Sequence, residues 1–381
     1  MKILLVSDAY KYQTNGVANV VIALANGMRL AGHDVKVLAP SCEHRSFVDG
    51  DDYYIRSFSA FYYPDQRFCL VGHDRLLKEL EAWKPDIVHM HTEGSVAHLG
   101  RKLASVLDVP IVMTSHTDYA QYAFGRFSHK KPVCVLTKLL GKFVYRDTEA
   151  VIVPSEKAVS FSQLASVKDH IVVIPNGIHL EQYQKQMTED ERKQLFSDLK
   201  LDDNGKIMVV VSRISKEKNI DEIISYLPYV LKRDPDVRLV VVGDGPHKEA
   251  LELLSRRLNL APYIRFVGFV KPEFVYKYYD MGNVFVSGST FEVHSLTYLE
   301  AMSHGLPLVC RRDPCLKGVL DDGKNGFSYS TRDEFVDSVL SVLKNDEETS
   351  GMRSFALEKS SSFGVQAFVD NTIALYDRVL A

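Results

Sequence analysis

The strongest constraint on this chain is the recurrence of short, unbroken runs of Val, Ile and Leu, with longer amphipathic stretches between them. “KILLVSD”, “DVKVLAP”, “DIVHMH”, “VPIVMTSH”, “AVIVPS” and “IVVIPNG” come first, and “KIMVVVSR”, “VRLVVVGDG”, “IRFVGFV”, “NVFVSGS” and “LPLVCRR” follow. A strand with one wet face alternates apolar and polar residues. An unbroken apolar run needs cover on both faces, which a parallel sheet between two helix layers supplies. The spacing predicts helices over 17–31 and 74–82, then near 219–233, 246–259, 272–280 and 296–304. The chain therefore reads as α/β: two successive doubly wound, Rossmann-like sheets, which 381 residues have room for. The boundary falls near “PNGIHLEQYQK”, where a Pro-Asn-Gly turn ends the first series and the spacing Thr188 to Glu191 suggests a capping box. Two such domains facing each other would hold a ligand at the carboxyl ends of their strands.

Composition excludes several classes. A net charge of −3 gives no sign of bulk nucleic-acid binding. The five cysteines are scattered without a CxxC pair, against a zinc site or disulfide framework. No window approaches the roughly 20 apolar residues of a membrane span. The short run Ile3–Val6 reads as a strand rather than a signal peptide, so a cytoplasmic location is expected.

Several residues carry chemistry. Asn15-Gly16 opens a helix after the first strand, where backbone N–H groups could approach a phosphate, although such a turn is common in any βα unit. Arg213 and Lys218, in “SRISKEKNI”, follow a strand and could clamp a diphosphate; a solvated loop is the plainer alternative. “VVGDGP”, with Gly243, is a tight turn that admits a flat ligand. His116, just past a strand in “VMTSHTDY”, suits a cleft position, a structural histidine at a strand end being the alternative. His89 and His91 are expected on opposite faces of their strand, which argues against joint metal binding. The acidic strings “DGD” (49–51) and “DPD” (234–236) read as turns.

Glu292 and Glu300 flank “VHSLTYL”. On one helix their α-carbons would lie about 12 Å apart, whereas glycosidase carboxyl pairs stand about 5–9.5 Å apart. The free N–H groups near Ser295 and Leu296 would suit an anion. Two carboxylates beside a phosphate site are better placed to accept from hydroxyls on either side of it. A nucleoside diphosphate sugar offers a ribose diol at one end and a sugar at the other.

“FEVHSLTYLEAMSHGLPLV” resembles the E-x7-E region of the retaining family-4 glycosyltransferases of GT-B fold. “TNGVANV”, “TSHTDY”, “PSEKA”, “IPNGI”, “SRISKEKN” and “VVGDGP” occur in that family's order. The likeness spans essentially the whole chain and is strongest to bacterial 1,2-diacylglycerol 3-glucosyltransferases. It implies an N-terminal acceptor domain of residues 1–176 plus about 364–381, the last helix crossing back, and a nucleotide-sugar domain of 177–363. It further implies that Gly16, Arg213 and Lys218 meet the donor diphosphate and that Glu300 accepts from ribose hydroxyls. Glu292 and His116 would contact the transferred sugar, Ser295 and Leu296 would face the phosphates, and Gly268 and Val270 would border the base. No metal is expected, and neither glutamate would act as a nucleophile. Ser295 stands where Gly is usual, and Gly288 where Pro is common.

Residues 126–146 hold six cations and no acid: Arg126, Lys130, Lys131, Lys138, Lys142 and Arg146. Leu136, Leu139, Leu140, Phe143 and Val144 give the segment an apolar part. A basic amphipathic helix reads as a binder of anionic membrane surface; a packed helix with a solvated basic face is the alternative. The resemblance favours the former, a peripheral enzyme on the inner membrane face using a UDP-sugar and a lipid acceptor. A polyprenyl-linked or soluble acceptor is the second reading, and an epimerase or a non-enzymatic sensor on the same fold are more distant ones.

Overall fold

A computed structural model describes residues 1–13, 15–59, 67–69, 74–125, 128, 130–202, 205–344 and 346–381. These divide into two compact units, Met1–Ile178 with Val365–Ala381, and His179–Gly364.

The first unit runs β1 (Lys2–Val6), α1 (Gly16–Leu30), β2 (Asp34–Pro40), β3 (Phe47–Asp49), β4 (Asp52–Ile55), β5 (Ser57–Ser59) and β6 (Arg67–Cys69). It continues through α2 (Arg75–Trp83), β7 (Ile87–Met90), α3 (Ser95–Leu107), β8 (Ile111–Thr114), α4 (Tyr119–Phe124), α5 (Lys131–Val144), β9 (Ala150–Val153), α6 (Glu156–Val159) and β10 (Ile171–Val173). Eight strands form one sheet in the order β10-β9-β8-β7-β1-β2-β4-β3. All its pairs are parallel except β3 with β4, and β5 pairs with β6 in a separate hairpin.

The second unit contains α7 (Leu180–Tyr183), α8 (Glu189–Asp198), β11 (Lys206–Val211), α9 (Ile220–Arg233), β12 (Val237–Val242), α10 (Lys248–Arg257), β13 (Ile264–Gly268) and α11 (Pro272–Asp280). It ends with β14 (Val284–Ser287), α12 (Leu296–Ser303), β15 (Leu308–Arg311), β16 (Gly326–Tyr329), α13 (Arg332–Val342) and α14 (Glu347–Ser360). Its six-stranded sheet, β13-β12-β11-β14-β15-β16, is wholly parallel.

The unbroken apolar runs are buried as their composition demands. Ile3 to Val6 and Ile207 to Val209 have no exposed surface. On α9, Ile220, Ile223, Ile224, Leu227 and Val230 recur at helical spacing and pack into the second core. Thr188 and Glu191 form the reciprocal capping box that their spacing predicts. The final helix, α15 (Val365–Leu380), lies against α1 in the first unit. A Cβ on Gly27 would stand 2.6 Å from Val369 Cγ2, so the absence of a side chain there permits the close approach.

Each of the two large sheets has one place where successive strands turn from one side to the other: between β1 and β7, and between β11 and β14. Loops leaving the carboxyl ends of two such strands diverge and open a crevice, the usual ligand position in open α/β sheets.

Candidate functional site

In the second unit, the loop after β11 carries Arg213 and Lys218, and the loop after β14 carries Glu292 and Ser295. Lys218 Nζ lies 2.5 Å from Glu292 Oε1, across the point where the strand order reverses. Asn219, in a left-handed conformation, donates from Nδ2 to Gly288 O at 3.2 Å. A Cβ on Gly288 would fall 2.5 Å from the Asn219 carbonyl oxygen. Glycine rather than proline at 288 thus lets the two loops meet. Ser212, Lys218, Gly288, Glu292, Thr297 and Tyr298 line one cavity there.

The turn after β12 closes onto the same loop. A Cβ on Gly243 would stand 1.9 Å from Ser212 O, and one on Gly245 2.3 Å from Ile214 O. Gly243 N donates to Gly268 O at 2.9 Å, which brings the end of β13 to the cluster. Val270 is half-buried just beyond.

Glu300 lies on the buried face of α12 and accepts from Tyr279 Oη at 2.6 Å. Glu292 precedes α12, which starts at Leu296, so the two glutamates do not share a helix. Ser295 takes the cap position, but its Oγ lies 3.0 Å from Thr297 Oγ1 and makes no side-chain cap. Arg213 is exposed, and no ion pair or side-chain hydrogen bond holds it among the described residues.

In the first unit, Asn15 Oδ1 accepts from Ala18 N at 2.9 Å and caps α1, whose first residue is the exposed Gly16. His116 follows β8, and its Nε2 lies 3.2 Å from His91 Nδ1. His89 and His91 have ring centroids 4.1 Å apart. The expectation that they face opposite ways is therefore wrong. Side-chain direction in a strand repeats every two residues, so 89 and 91 share a face. His89 Nδ1 lies 2.5 Å from Tyr376 Oη on α15, and its Nε2 lies 2.7 Å from Thr114 Oγ1. Burial holds all three imidazoles neutral, with pKa values pushed down to about 3 at His89 and about 4 at His116, and well below the ordinary value at His91.

Sequence reasoning missed Glu93. Burial, with Asp8 nearby, pushes its carboxyl pKa up to about 7 against the opposing pull of tyrosine hydrogen bonds. Tyr145 Oη donates to Glu93 Oε1 at 3.4 Å and lies 2.9 Å from Ser115 Oγ. Asp8 accepts from the N–H groups of Gly94 at 3.0 Å and Val96 at 3.1 Å, tying the loop after β1 to the start of α3. Parity along the strand was the one signal available for the histidines. For Glu93 there was none, because its environment comes from Tyr119 and Tyr145, far along the chain.

The string “DGD” forms the turn from β3 to β4, with Gly50 at a φ of 59°, and in “DPD” Asp234 takes Lys206 Nζ at 2.6 Å. No three His, Cys, Asp or Glu residues gather as metal ligands among the described residues.

Arg126 lies outside the described residues, while Lys130, Lys131, Lys138, Lys142 and Arg146 are exposed. The inner side of α5 is small: Thr137 and Gly141 are buried, and a Cβ on Gly141 would fall 1.8 Å from Gln163 O. Its large apolar residues are the exposed ones, with Leu139 62% and Phe143 64% accessible and Val135, Leu136 and Leu140 also open. At about 100° per residue these five centre nearly opposite the Thr137–Gly141 stripe. The helix is packed through its small inner side, and its outward side is apolar as well as basic. Val144, grouped with the apolar set by sequence, is half-buried nearer the inner side. No helix among the described residues is long and apolar enough to cross a membrane.

The sequence matches the family described as “Glycosyltransferase Family 4” over residues 14–182 and “Glycosyl transferases group 1” over residues 191–359. It is 29% identical to an alpha-monoglucosyldiacylglycerol synthase of Acholeplasma laidlawii, over 99% of this chain and 96% of that one. It is 30% identical to the synthase of that name from Streptococcus pneumoniae, over 90% of this chain and 78% of the other. Among solved structures, Anabaena HepE in complex with UDP-glucose superposes with a TM-score of 0.75 at 18% identity, covering 99% of this chain and 100% of that one. The parallel sheets, the loop cluster at the second strand reversal and these matches together place the chain among the family-4, group 1 glycosyltransferases of GT-B fold.

Proposed function

We propose that this enzyme moves glucose from UDP-glucose to a lipid hydroxyl such as that of diacylglycerol, retaining the anomeric configuration, at the cytosolic face of a membrane. The observation that carries the lipid acceptor is α5, whose large apolar residues point away from the protein with cations beside them. An exposed apolar stripe bordered by Lys and Arg suits an anionic lipid surface. The names of the Acholeplasma and Streptococcus relatives support glucose and diacylglycerol.

The donor's C1–O bond to the diphosphate breaks as the acceptor oxygen bonds C1 from the same face. The acceptor's proton passes to a departing phosphate oxygen, giving glucolipid and UDP. Arg213, Lys218 and the backbone near Ser295 and Leu296 stabilise the charge that develops on the diphosphate. Gly16 lets the α1 N-terminus approach it. Glu300 accepts from the ribose hydroxyls; Glu292 and His116 contact the transferred sugar; Gly243, Gly268 and Val270 border the nucleoside. No metal is required in this scheme, because side-chain cations supply the positive charge.

The test is incubation with UDP-glucose, UDP-galactose and GDP-mannose in vesicles containing diacylglycerol, with mass spectrometry and NMR of the product. An α-glucosyl lipid is expected from UDP-glucose. A β-linked product would sink the retaining mechanism, and UDP release without any glycolipid would sink the lipid acceptor.

A further inference from the structure

The rings of His91 and His116 lie nearly parallel, planes 18° and centroids 5.5 Å apart, and meet end to end through His91 Nδ1 and His116 Nε2 at 3.2 Å. Both are neutral, so one of these two nitrogens carries the hydrogen and the other accepts it. If His91 carried its hydrogen on Nε2, a buried N–H would have no acceptor, since that atom has no partner among the described residues. If His91 carries it on Nδ1, the unpaired atom is only an unused lone pair. A buried, orphaned N–H is the rarer of the two in folded proteins.

The His91 ring is also backed by a fixed neighbour. His89 stands against it, held by Tyr376 and Thr114 on its two nitrogens. Tyr376 Oη is buried and His89 is its one hydrogen-bond partner among the described residues, so the phenol donates to Nδ1. His89 then keeps its own hydrogen on Nε2, toward Thr114.

We infer that His91 is a positioning residue: by donating from Nδ1 to Nε2 of His116, it fixes His116 as the tautomer with its hydrogen on Nδ1. This rests on the proposed contact of His116 with the transferred sugar. Its consequence is chemical. With Nε2 occupied and Nδ1 protonated, His116 offers the sugar a hydrogen-bond donor and cannot take a proton there as a general base.

The full chain, labelled with [15N]histidine, is examined by long-range 1H–15N NMR, with His116→Gln identifying the His116 signals. The hydrogen is expected on Nδ1 of His116. His91→Leu should shift His116 toward the other tautomer, while His91→Asn, whose amide N–H can replace Nδ1–H, should preserve it. With UDP-glucose and diacylglycerol in phosphatidylglycerol vesicles, His91→Leu should lower kcat at least about tenfold with KM for UDP-glucose within about twofold, and His91→Asn should restore most of the loss. A hydrogen found on Nε2 of His116 in the unaltered protein overturns the inference, as does His91→Leu with an unchanged tautomer. The unaltered protein's spectrum decides the tautomer even if His91→Leu folds poorly. Full turnover in His116→Ala would instead remove His116 from the donor site, a failure the NMR result distinguishes.

Discussion

Lys218 and Glu292, 74 residues apart in sequence, form an ion pair at 2.5 Å between the loops that leave β11 and β14. The cation assigned to the diphosphate and the carboxylate assigned to the sugar thus hold each other in position. Donor binding would exchange one partner for another rather than recruit two free side chains.

The exposed Arg213 and the tethered Lys218 should differ from Glu300 in kinetics. Arg213→Ala and Lys218→Ala are expected to lower kcat about 10²-fold, because stabilisation of the leaving diphosphate is lost in the transition state. Glu300→Ala should mainly raise KM for UDP-glucose. Steady-state kinetics against both substrates checks this, and the reverse pattern would refute the assignments. Added EDTA should leave all these rates within about twofold.

Membrane attachment should depend on the outward side of α5. Leu139→Asp with Phe143→Asp should abolish co-sedimentation with phosphatidylglycerol vesicles while leaving the melting temperature unchanged, since both residues are exposed in the free protein. Lys138→Ala with Lys142→Ala should weaken binding and flatten its dependence on salt. Equal binding by the Asp pair would show that another surface carries the attachment.

Stability should respond to pH in two opposed ways. Burial raises the Glu93 pKa to about 7 in the folded state. Its stabilising contribution is therefore complete below the ordinary carboxylate value and is lost as pH rises through about 7. His89 and His116 are depressed to about 3 and about 4, so their contribution is complete above the ordinary imidazole value. It is lost as pH falls toward about 4. The two windows overlap with opposite slopes, so in thermal melts Glu93→Gln should steepen the rise of melting temperature between about pH 4.5 and 7 and leave the slope above about pH 7.5 unchanged. An unchanged slope between about pH 4.5 and 7 in Glu93→Gln would refute the role of that carboxyl.

Gly141→Ala should destabilise the first unit by about 1–3 kcal/mol, because the added methyl meets the Gln163 carbonyl at 1.8 Å and backbone must move. Thr137→Ala, at the same buried stripe, should cost less. Chemical denaturation measures both, and a neutral Gly141→Ala would show that α5 can lift without cost.

The long Val and Ile strands were legible because two-sided burial forces their composition, and α11 begins and ends at the residues expected. The strands β3 to β6 were not. “DYYI” carries a buried Asp52 whose tolerance depends on Tyr10, Lys11 and Arg29, partners that no local pattern reveals. The helix Ser95–Leu107 is written in the spacing of Val96, Leu99, Gly100 and Leu103, between two strand runs of stronger apolar pattern. At the candidate site, sequence reached the loops but not their pairing. Lys218 with Glu292 and His91 with His116 are tertiary facts. Only the histidines' shared face could have been read beforehand, from strand parity.

The return of α15 to the first unit also has a consequence for how the chain is made. A ribosome delivers residues in order, yet α1 at Gly27 and the imidazole of His89 acquire their partners Val369 and Tyr376 only after the whole second unit has emerged. The second unit, being continuous from His179 to Gly364, can be complete before then. The part of the protein synthesised first is therefore finished last, and a chain broken off before Tyr376 would hold a continuous second unit and a first unit lacking the tyrosine bonded to His89.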